Sequence, residues 1–463
     1  MNRFIILKFT AGLLILISAA LIIHSLFPSL LGSRTSITKF SDTTDGSLQS
    51  YYEKGQNLSP RGNTATTSAT FLAVGDIMLS RNVAAAIQKS DDVNLPFKKM
   101  SDILKSTDFN FGNLESPVSP PLLNKEGCPS ASEGGVVGGH SMIFGASCSY
   151  IKSLSDFNFK ILNLANNHSF DQKLAGIDAT RSVLDNLSIS HEGTGDNLDQ
   201  AWQPAVVQAN GLRICFIGAS FSSINDGGKA TNNYVARIED LDHLKSAIRN
   251  SQSVCNFTVV TMHAGTEYTR TPNQAQITFA HAAIDDGADM VIGAHPHWVQ
   301  TIEQYCPLQY SPPNIGGVSR EAGRGGTSKT KNLPPPPATQ GTPPVPGGET
   351  ASCSNPKYIF YSLGNFIFDQ NFSQDTMEGL TLKITVSKTG CSPSPLLRGD
   401  APSASEGQRG CADNLQGSRT PAVLQSIELI PIIITNSQSR PATADESKKI
   451  LKKINQNSNI LTP

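Results

Sequence analysis

An α/β domain built on a largely buried sheet is the fold class the sequence predicts, on three observations. Short apolar runs recur along the chain, amphipathic helical patterns lie between several of them, and Gly, Asp, Asn or His residues stand at the ends of the runs. Strands covered on both faces read as continuous apolar runs, and strand–helix alternation is the pattern of an α/β sheet.

The first run, Phe71-Leu72-Ala73-Val74, opens the folded part near Ala69 and ends at Gly75-Asp76. Further strand signals are Phe111 to Glu115, Phe159 to Leu164, Arg213 to Gly218, Phe257 to Met262, Met290 to Gly293 and Tyr358 to Ser362. The clearest helix spans Pro272 to Asp286, with Thr271 as N-cap, Pro272 at the first helical position, Gln274 completing a capping box and Gly287 just past the end. From Ser447 to Leu461, Lys448, Lys449, Lys452 and Lys453 alternate with Ile450, Leu451 and Ile454, which predicts a terminal amphipathic helix with a solvated basic face.

Ahead of the domain, Arg3 and Lys8 precede an apolar run over residues 9–31, long enough to cross a bilayer as one helix. An uncleaved single-pass anchor is expected; a cleaved signal peptide is the alternative, although no small-x-small site follows directly. The basic residues before the run keep residues 1–8 cytoplasmic and put everything after it outside the cell membrane. Residues 32–67, rich in Ser, Thr, Gly and Asn, read as a flexible linker. Three stretches dominated by Pro, Gly, Ser and Ala, at about 119–139, 311–354 and 391–420, read as surface insertions. Eight cysteines permit four sequential pairs, Cys128–Cys148, Cys215–Cys255, Cys306–Cys353 and Cys391–Cys411, which suits an oxidising compartment. Buried or unpaired thiols are the alternative.

With 37 basic and 38 acidic side chains, the formal net charge is −1, so no overall field draws the protein to nucleic acid and none is expected as a partner.

Ligands of open α/β sheets sit beyond the carboxyl ends of the strands, so polar residues there carry the chemistry. Asp76 follows the first run, Glu115 closes the second, Asn167-His168 follows the third, His263 follows Val259 to Met262, and His295-Pro296-His297 follows Val291 to Ala294. Two divalent cations need a bridging oxygen ligand with imidazole, carboxylate or amide groups on either side, and this inventory supplies each.

G-D-I-M-L at 75–79, G-N-L-E at 112–115, N-L-A-N-N-H-S-F-D at 163–171, H-A-G-T-E-Y at 263–268, G-A-D-M-V-I-G-A-H-P-H at 287–297 and Y-S-L-G-N-F-I-F-D-Q at 361–370 together resemble the CapA family of capsule or poly-γ-glutamate biosynthesis proteins. The resemblance covers the domain taken here as 68–437, with 438–463 as a C-terminal tail. That family is itself similar to calcineurin-like metallophosphatases, which implies a four-layer αββα sandwich and two divalent ions, with Mn, Fe, Zn and Mg all compatible. By motif, Asp76 and His297 bind the first metal, Glu115 bridges, Asn167, His263 and His295 bind the second, and His168 oriented by Asp171 is the general acid or electrostatic stabiliser. Asn113, Glu267, Tyr268, Asn365 and Asp369 fall in the same motifs and are expected to line the substrate cleft; for the last four, supporting the ligands or packing beside them is the alternative. Met78 departs from the phosphatase pattern, which has a His there, and a thioether is a poor ligand for hard divalent ions. The resemblance implies a metal-dependent hydrolase or transferase acting on an anionic polymer such as poly-γ-glutamate, or on its precursor. A non-catalytic, polymer-guiding subunit of a synthase or export complex is the alternative.

Overall fold

The apolar runs become strands that are buried along most of their length, and the polar residues after them gather at one end of the molecule. The structure is a computed structural model that describes residues 66–120, 142–223, 225, 232–307, 355–389 and 420–457. The apolar run 9–31, nearly all of the linker and nearly all of the three insertions lie outside the described residues. No helix among the described residues is long and apolar enough to cross a membrane.

In chain order the strands are β1 (Thr66–Ile77), β2 (Phe109–Leu114), β3 (Phe159–Asn163), β4 (Ser190–Glu192), β5 (Ala205–Ala209), β6 (Leu212–Ser220) and β7 (Phe257–His263). They continue with β8 (Met290–Ala294), β9 (Ile302–Tyr305), β10 (Lys357–Phe360), β11 (Asn365–Ile367), β12 (Glu378–Thr389), β13 (Val423–Thr435) and β14 (Gln438–Pro441). One eight-stranded sheet has the order β14-β13-β12-β1-β2-β3-β4, with β11 pairing β1 off that path. The other, six-stranded, has the order β5-β6-β7-β8-β10-β9. Pairing is parallel along β1-β2-β3-β4 and along β6-β7-β8-β10, so the carboxyl ends of the central strands of each sheet lie side by side.

The fold is a mixed α/β sandwich. The sheets meet through aromatic side chains: the Phe216 ring of β6 lies 5.9 Å from Phe71 of β1 and 5.3 Å from Phe111 of β2. Burying each such ring contributes about 2 kcal/mol. Helices α1 (Arg81–Ser90), α2 (Cys148–Asp156) and α3 (Lys173–Asn186) pack Val83, Ile87, Tyr150, Leu154 and Leu184 against Leu72, Val74 and Leu162 of the first sheet. Helices α4 (Leu241–Val254) and α5 (Gln274–Asp285) pack Leu244, Ile248, Phe279 and Ile284 against Ile217, Val260 and Val291 of the second.

Three local expectations shift. Helix α5 starts two residues later than predicted, because the capping box is made by Asn273 and Gln276, each side chain accepting from the other's backbone N–H at 3.0 Å, and not by Thr271 and Gln274. The terminal helix α6 (Ala444–Asn457) starts three residues earlier than predicted and buries Ile450 and Ile454. Its basic face is not wholly solvated, since Lys453 Nζ reaches Asp375 at 2.6 Å and Glu378 at 2.7 Å. The sequence division at 437/438 falls between β13 and β14, which are hydrogen-bonded. Cys215 and Cys255 form a disulfide, and Cys148 and Cys306 are also disulfide-bonded; Cys128, Cys353, Cys391 and Cys411 lie outside the described residues.

The strand continues past the predicted end of the first run, and the C-terminal end of β1 is built on close approach. A Cβ added at Gly75 would stand 1.9 Å from the Gly364 carbonyl oxygen, which accepts from the Asp76 N–H at 3.1 Å. Between the sheets, Thr261 of β7 donates to Glu192 of β4 at 2.6 Å. Burial pushes the Glu192 carboxyl up to about 8, against the opposing effect of the Thr261 hydrogen bond.

Gly75→Ala should cost about 1–3 kcal/mol in a urea melt, because backbone cannot yield as a flexible side chain does. Glu192 gives a pH dependence of known sign. Its carboxyl stays protonated when folded and ionises near 4.5 when unfolded, so the stability it contributes is complete below about 4.5 and is lost as pH rises through about 8. Melts between pH 5 and 8.5 should therefore show a steeper fall for the native protein than for Glu192→Gln; parallel curves would refute the assignment.

Candidate metal centre

Six predicted metal-ligand side chains come from strand ends of both sheets and are all buried: Asp76 on β1, Glu115 after β2, Asn167 after β3, His263 at the end of β7, and His295 and His297 after β8. Two groups of them, Glu115 with His263 and His295, and Asp76 with Glu115 and His297, each offer ligand atoms within 4.8 Å of one another. Glu115 belongs to both. Its Oε1 lies 3.6 Å from His263 Nε2 and 3.9 Å from His297 Nε2, yet neither carboxylate oxygen has a hydrogen-bond partner although both are buried. Asn167 Oδ1 lies 2.7 Å from His263 Nε2, and His295 Nδ1 lies 3.1 Å from the same nitrogen. His297 Nδ1 lies 3.3 Å from Asp76 Oδ2.

Backbone strain holds part of this set. His295 and His297 have φ of +98° and +58°, in the left-handed region that costs a side-chain-bearing residue about 1–3 kcal/mol. Pro296 separates them, and its carbonyl accepts from the Tyr268 N–H at 2.9 Å.

The electrostatics of the cluster suit a cation. Burial, then repulsion from Asp76, Glu267 and Asp171, pushes the Glu115 carboxyl well above the usual range, while Arg81 opposes the shift. Burial first, and then neighbouring imidazoles, holds His263 and His295 well below the ordinary histidine value. Neutral imidazoles keep the lone pairs that ligate metals. An unpaired buried carboxylate is costly, and a divalent cation at this point would satisfy it. The donor set therefore fits divalent metal.

Of the five residues expected to line the cleft, three are committed to the frame. Asn113 Nδ2 donates to Asp76 Oδ1 at 2.8 Å and lies 3.0 Å from His263 Nδ1. Asn365 Oδ1 lies 2.9 Å from His297 Nδ1, while Asn365 Nδ2 donates to Thr376 O at 2.9 Å. Asp369 pairs with the Arg81 guanidinium and accepts from the Asn82 N–H at 3.2 Å. Glu267 is exposed and Tyr268 half-buried, with the Tyr268 ring 6.0 Å from that of His297 and 5.2 Å from the exposed Phe372. Burial, then Glu267, pushes the Tyr268 phenol up.

His168 Nδ1 lies 2.7 Å from Asp171 Oδ2, and its Nε2 lies 3.9 Å from Glu115 Oε1. Met78 is buried, and its sulfur accepts from the Ser80 N–H at 3.1 Å. The position therefore adds no strong donor to Asp76, Glu115 and His297.

Sequence reasoning passed over four residues. Asn163 Nδ2 donates to Asn113 Oδ1 at 2.9 Å and Asn166 Nδ2 to Leu114 O at 2.9 Å, which ties the β2 and β3 ends together; both lie in the N-L-A-N-N-H motif that pointed to their neighbours. Arg81 lies two residues past G-D-I-M-L, close enough to read as part of that motif. Phe144, stacked on His168 with ring centroids 3.8 Å apart, follows a Pro/Gly-rich stretch and carries no sequence signal.

Comparison with known proteins places this geometry in context. The family described as "Bacterial capsule synthesis protein PGA_cap" matches residues 70–370. The capsule biosynthesis protein CapA of Bacillus anthracis is 24% identical over 331 residues, covering 70% of this chain and 66% of that protein. The PGA biosynthesis protein CapA of Bacillus subtilis (strain 168) is 26% identical over 326 residues, covering 70% and 68%. The chain thus spans about two thirds of the length of these curated relatives. Solved structures similar to it include the calcineurin-like phosphoesterase YfkN from Bacillus subtilis, at 12% identity and TM-score 0.39 over 85% of this chain and 98% of that one. A phosphatase from Mycoplasma pneumoniae matches at 11% identity and TM-score 0.40, over 83% and 98%. Spanning the strand ends that carry Asp76, Glu115, Asn167 and all three ligand-type histidines, the family match shows that this chain belongs to the bacterial capsule synthesis protein family PGA_cap.

Proposed function

We propose that this protein is a metal-dependent hydrolase or transferase acting on an anionic surface polymer of the poly-γ-glutamate type, or on its phosphorylated precursor. The observation that carries the reading is Glu115: a fully buried carboxylate with two unpartnered oxygens, ringed by Asp76, His263, His295 and His297. The polymer is taken from the family and from the names of the two CapA relatives. Tethering by residues 9–31, with the domain outside the cell membrane, is part of the proposal; the Cys215–Cys255 disulfide supports an oxidising compartment.

Asp76 and His297 would hold one cation, Asn167, His263 and His295 the second, and Glu115 would be shared between them. Imidazole with carboxylate suits zinc or iron better than magnesium. When bound, such a pair lowers the pKa of water and stabilises negative charge on the attacked centre. Asn113 and Asn365 hold Asp76 and His297 in place through their side-chain amides. His168, fixed at Nδ1 by Asp171, turns Nε2 toward the Glu115 side of the cleft, where it serves as proton donor to the leaving group.

A second reading is a non-catalytic subunit that guides the polymer for a synthase or export complex. Met78 favours it, because its sulfur is engaged by Ser80 and leaves the first cation with few strong donors. Metal analysis of the purified protein, with turnover of a chromogenic phosphodiester and of a γ-glutamyl peptide, separates the two. Bound metal with turnover supports the enzyme; bound metal and no turnover of either supports the guiding role.

Glu115→Ala and His263→Ala should each lose metal while keeping the far-ultraviolet dichroism of the native fold; two equivalents still bound in both would refute the ligand assignment. His168→Ala should keep its metal and lose about 10²- to 10⁴-fold in rate, the usual contribution of a positioned acid.

A further inference from the structure

Fixing one nitrogen of an imidazole leaves the ring free to swing about that hydrogen bond. At His168 the bond to Asp171 is made at Nδ1, and a second constraint is needed to aim Nε2. The Phe144 ring supplies that constraint, lying almost parallel to the imidazole at 16° with centroids 3.8 Å apart. The same residue reaches the other side of the hydrogen bond, since its backbone N–H donates to Asp171 Oδ2 at 2.6 Å, the oxygen that His168 engages.

Phe144 is itself held on several sides. Its carbonyl accepts from Gln172 Nε2 at 2.7 Å, and Gly145 N–H donates to Ser80 Oγ at 3.2 Å. The Arg81 guanidinium, held by Asp369, sits 4.7 Å from the centre of its ring. Arg81 has φ of +49°, a strained backbone of the kind kept where the surroundings over-determine it. Only 2% of Phe144 is exposed, although its neighbours Met142 and Ile143 are 63% and 56% exposed.

We infer that Phe144 is a positioning residue for His168: it clamps the imidazole plane and anchors the Asp171 carboxylate, with Arg81 as its backing. The inference rests on the proposed acid role of His168, and its test includes a readout that does not depend on activity. An aromatic ring stacked on an imidazole displaces the imidazole Cε1–H resonance upfield. In the metal-loaded full-length protein, the resonance absent from His168→Gln identifies His168. It should lie upfield of an ordinary histidine, return to the ordinary position in Phe144→Leu and stay upfield in Phe144→Tyr.

On the chromogenic phosphodiester, Phe144→Leu should lower kcat about tenfold or more, as small misplacements of a reacting group do. KM and metal content should stay near native values, and Phe144→Tyr should restore the rate. In a His168→Ala background, Phe144→Leu should cause no further loss, because the two residues act as one unit. An unshifted resonance in the native protein overturns the inference even where Phe144→Leu does not fold. So does an equal loss of kcat with and without His168, which would mark a merely structural role. Absence of turnover by the native protein would remove the hydrolase reading and leave the resonance to decide whether Phe144 positions His168.

Discussion

A carboxylate stripped of both water and hydrogen bonds is the constraint around which this fold is arranged. Glu115 is fully buried, its two oxygens lack partners, and the carboxyl is pushed well above its usual range by burial and by Asp76. Left alone, such a group costs several kcal/mol. Imidazoles and a second carboxylate stand within ligand distance of it, and the Arg81 guanidinium only partly offsets the shift. That composition suits positive charge placed among the donors.

The sandwich delivers these donors because two runs of parallel strands end side by side. Asp76, Glu115 and Asn167 come from one sheet, and His263, His295 and His297 from the other, so the site exists only where the sheets are held in register. That register is maintained by groups of different character. Phe71, Phe109 and Phe111 meet Phe216 in the apolar interior, and Glu192 meets Thr261 through a hydrogen bond. Nearer the donors, Asn113 joins Asn163 on one side to Asp76 and His263 on the other. Side-chain amides suit this task, since each can donate and accept at once without adding charge to a site already rich in it.

Much of this was readable because ligand-type residues standing at the ends of apolar runs signal their placement: a run fixes a strand, and a parallel strand fixes where its last residue points. Asp76, Glu115, Asn167, His263, His295 and His297 fall under that rule. The roles of Asn113, Asn365 and Asp369 were harder to read, because a motif does not say whether a polar side chain faces the cleft or supports a neighbour. Strands β12 and β13 escaped notice because apolar and polar residues are mixed along them and do not form one continuous apolar run. The start of helix α5 was misjudged because Thr271-Pro272 and Asn273 both carry start signals, and only the geometry shows that Asn273 and Gln276 complete the reciprocal pair. Phe144 lay beyond reading, since its place on His168 is set by a return of the chain after an irregular stretch.

That return has an implication for how the chain tolerates change. Val118 and Ala146 form a parallel bridge, Ser119 N–H donates to the Ala146 carbonyl at 2.9 Å, and Ala146 N–H donates to the Pro117 carbonyl at 2.8 Å. The segments around Val118 and Ala146 are thus tied together by backbone hydrogen bonds. The entropic penalty of such a closure rises only by about 0.6 kcal/mol for each doubling of length. By that scaling a change in the number of residues between 121 and 141 costs little so long as this pairing holds, whereas Phe144, inside the closure, is not free to change. The pairing that limits this cost stands two residues from the Phe144 ring that lies on His168.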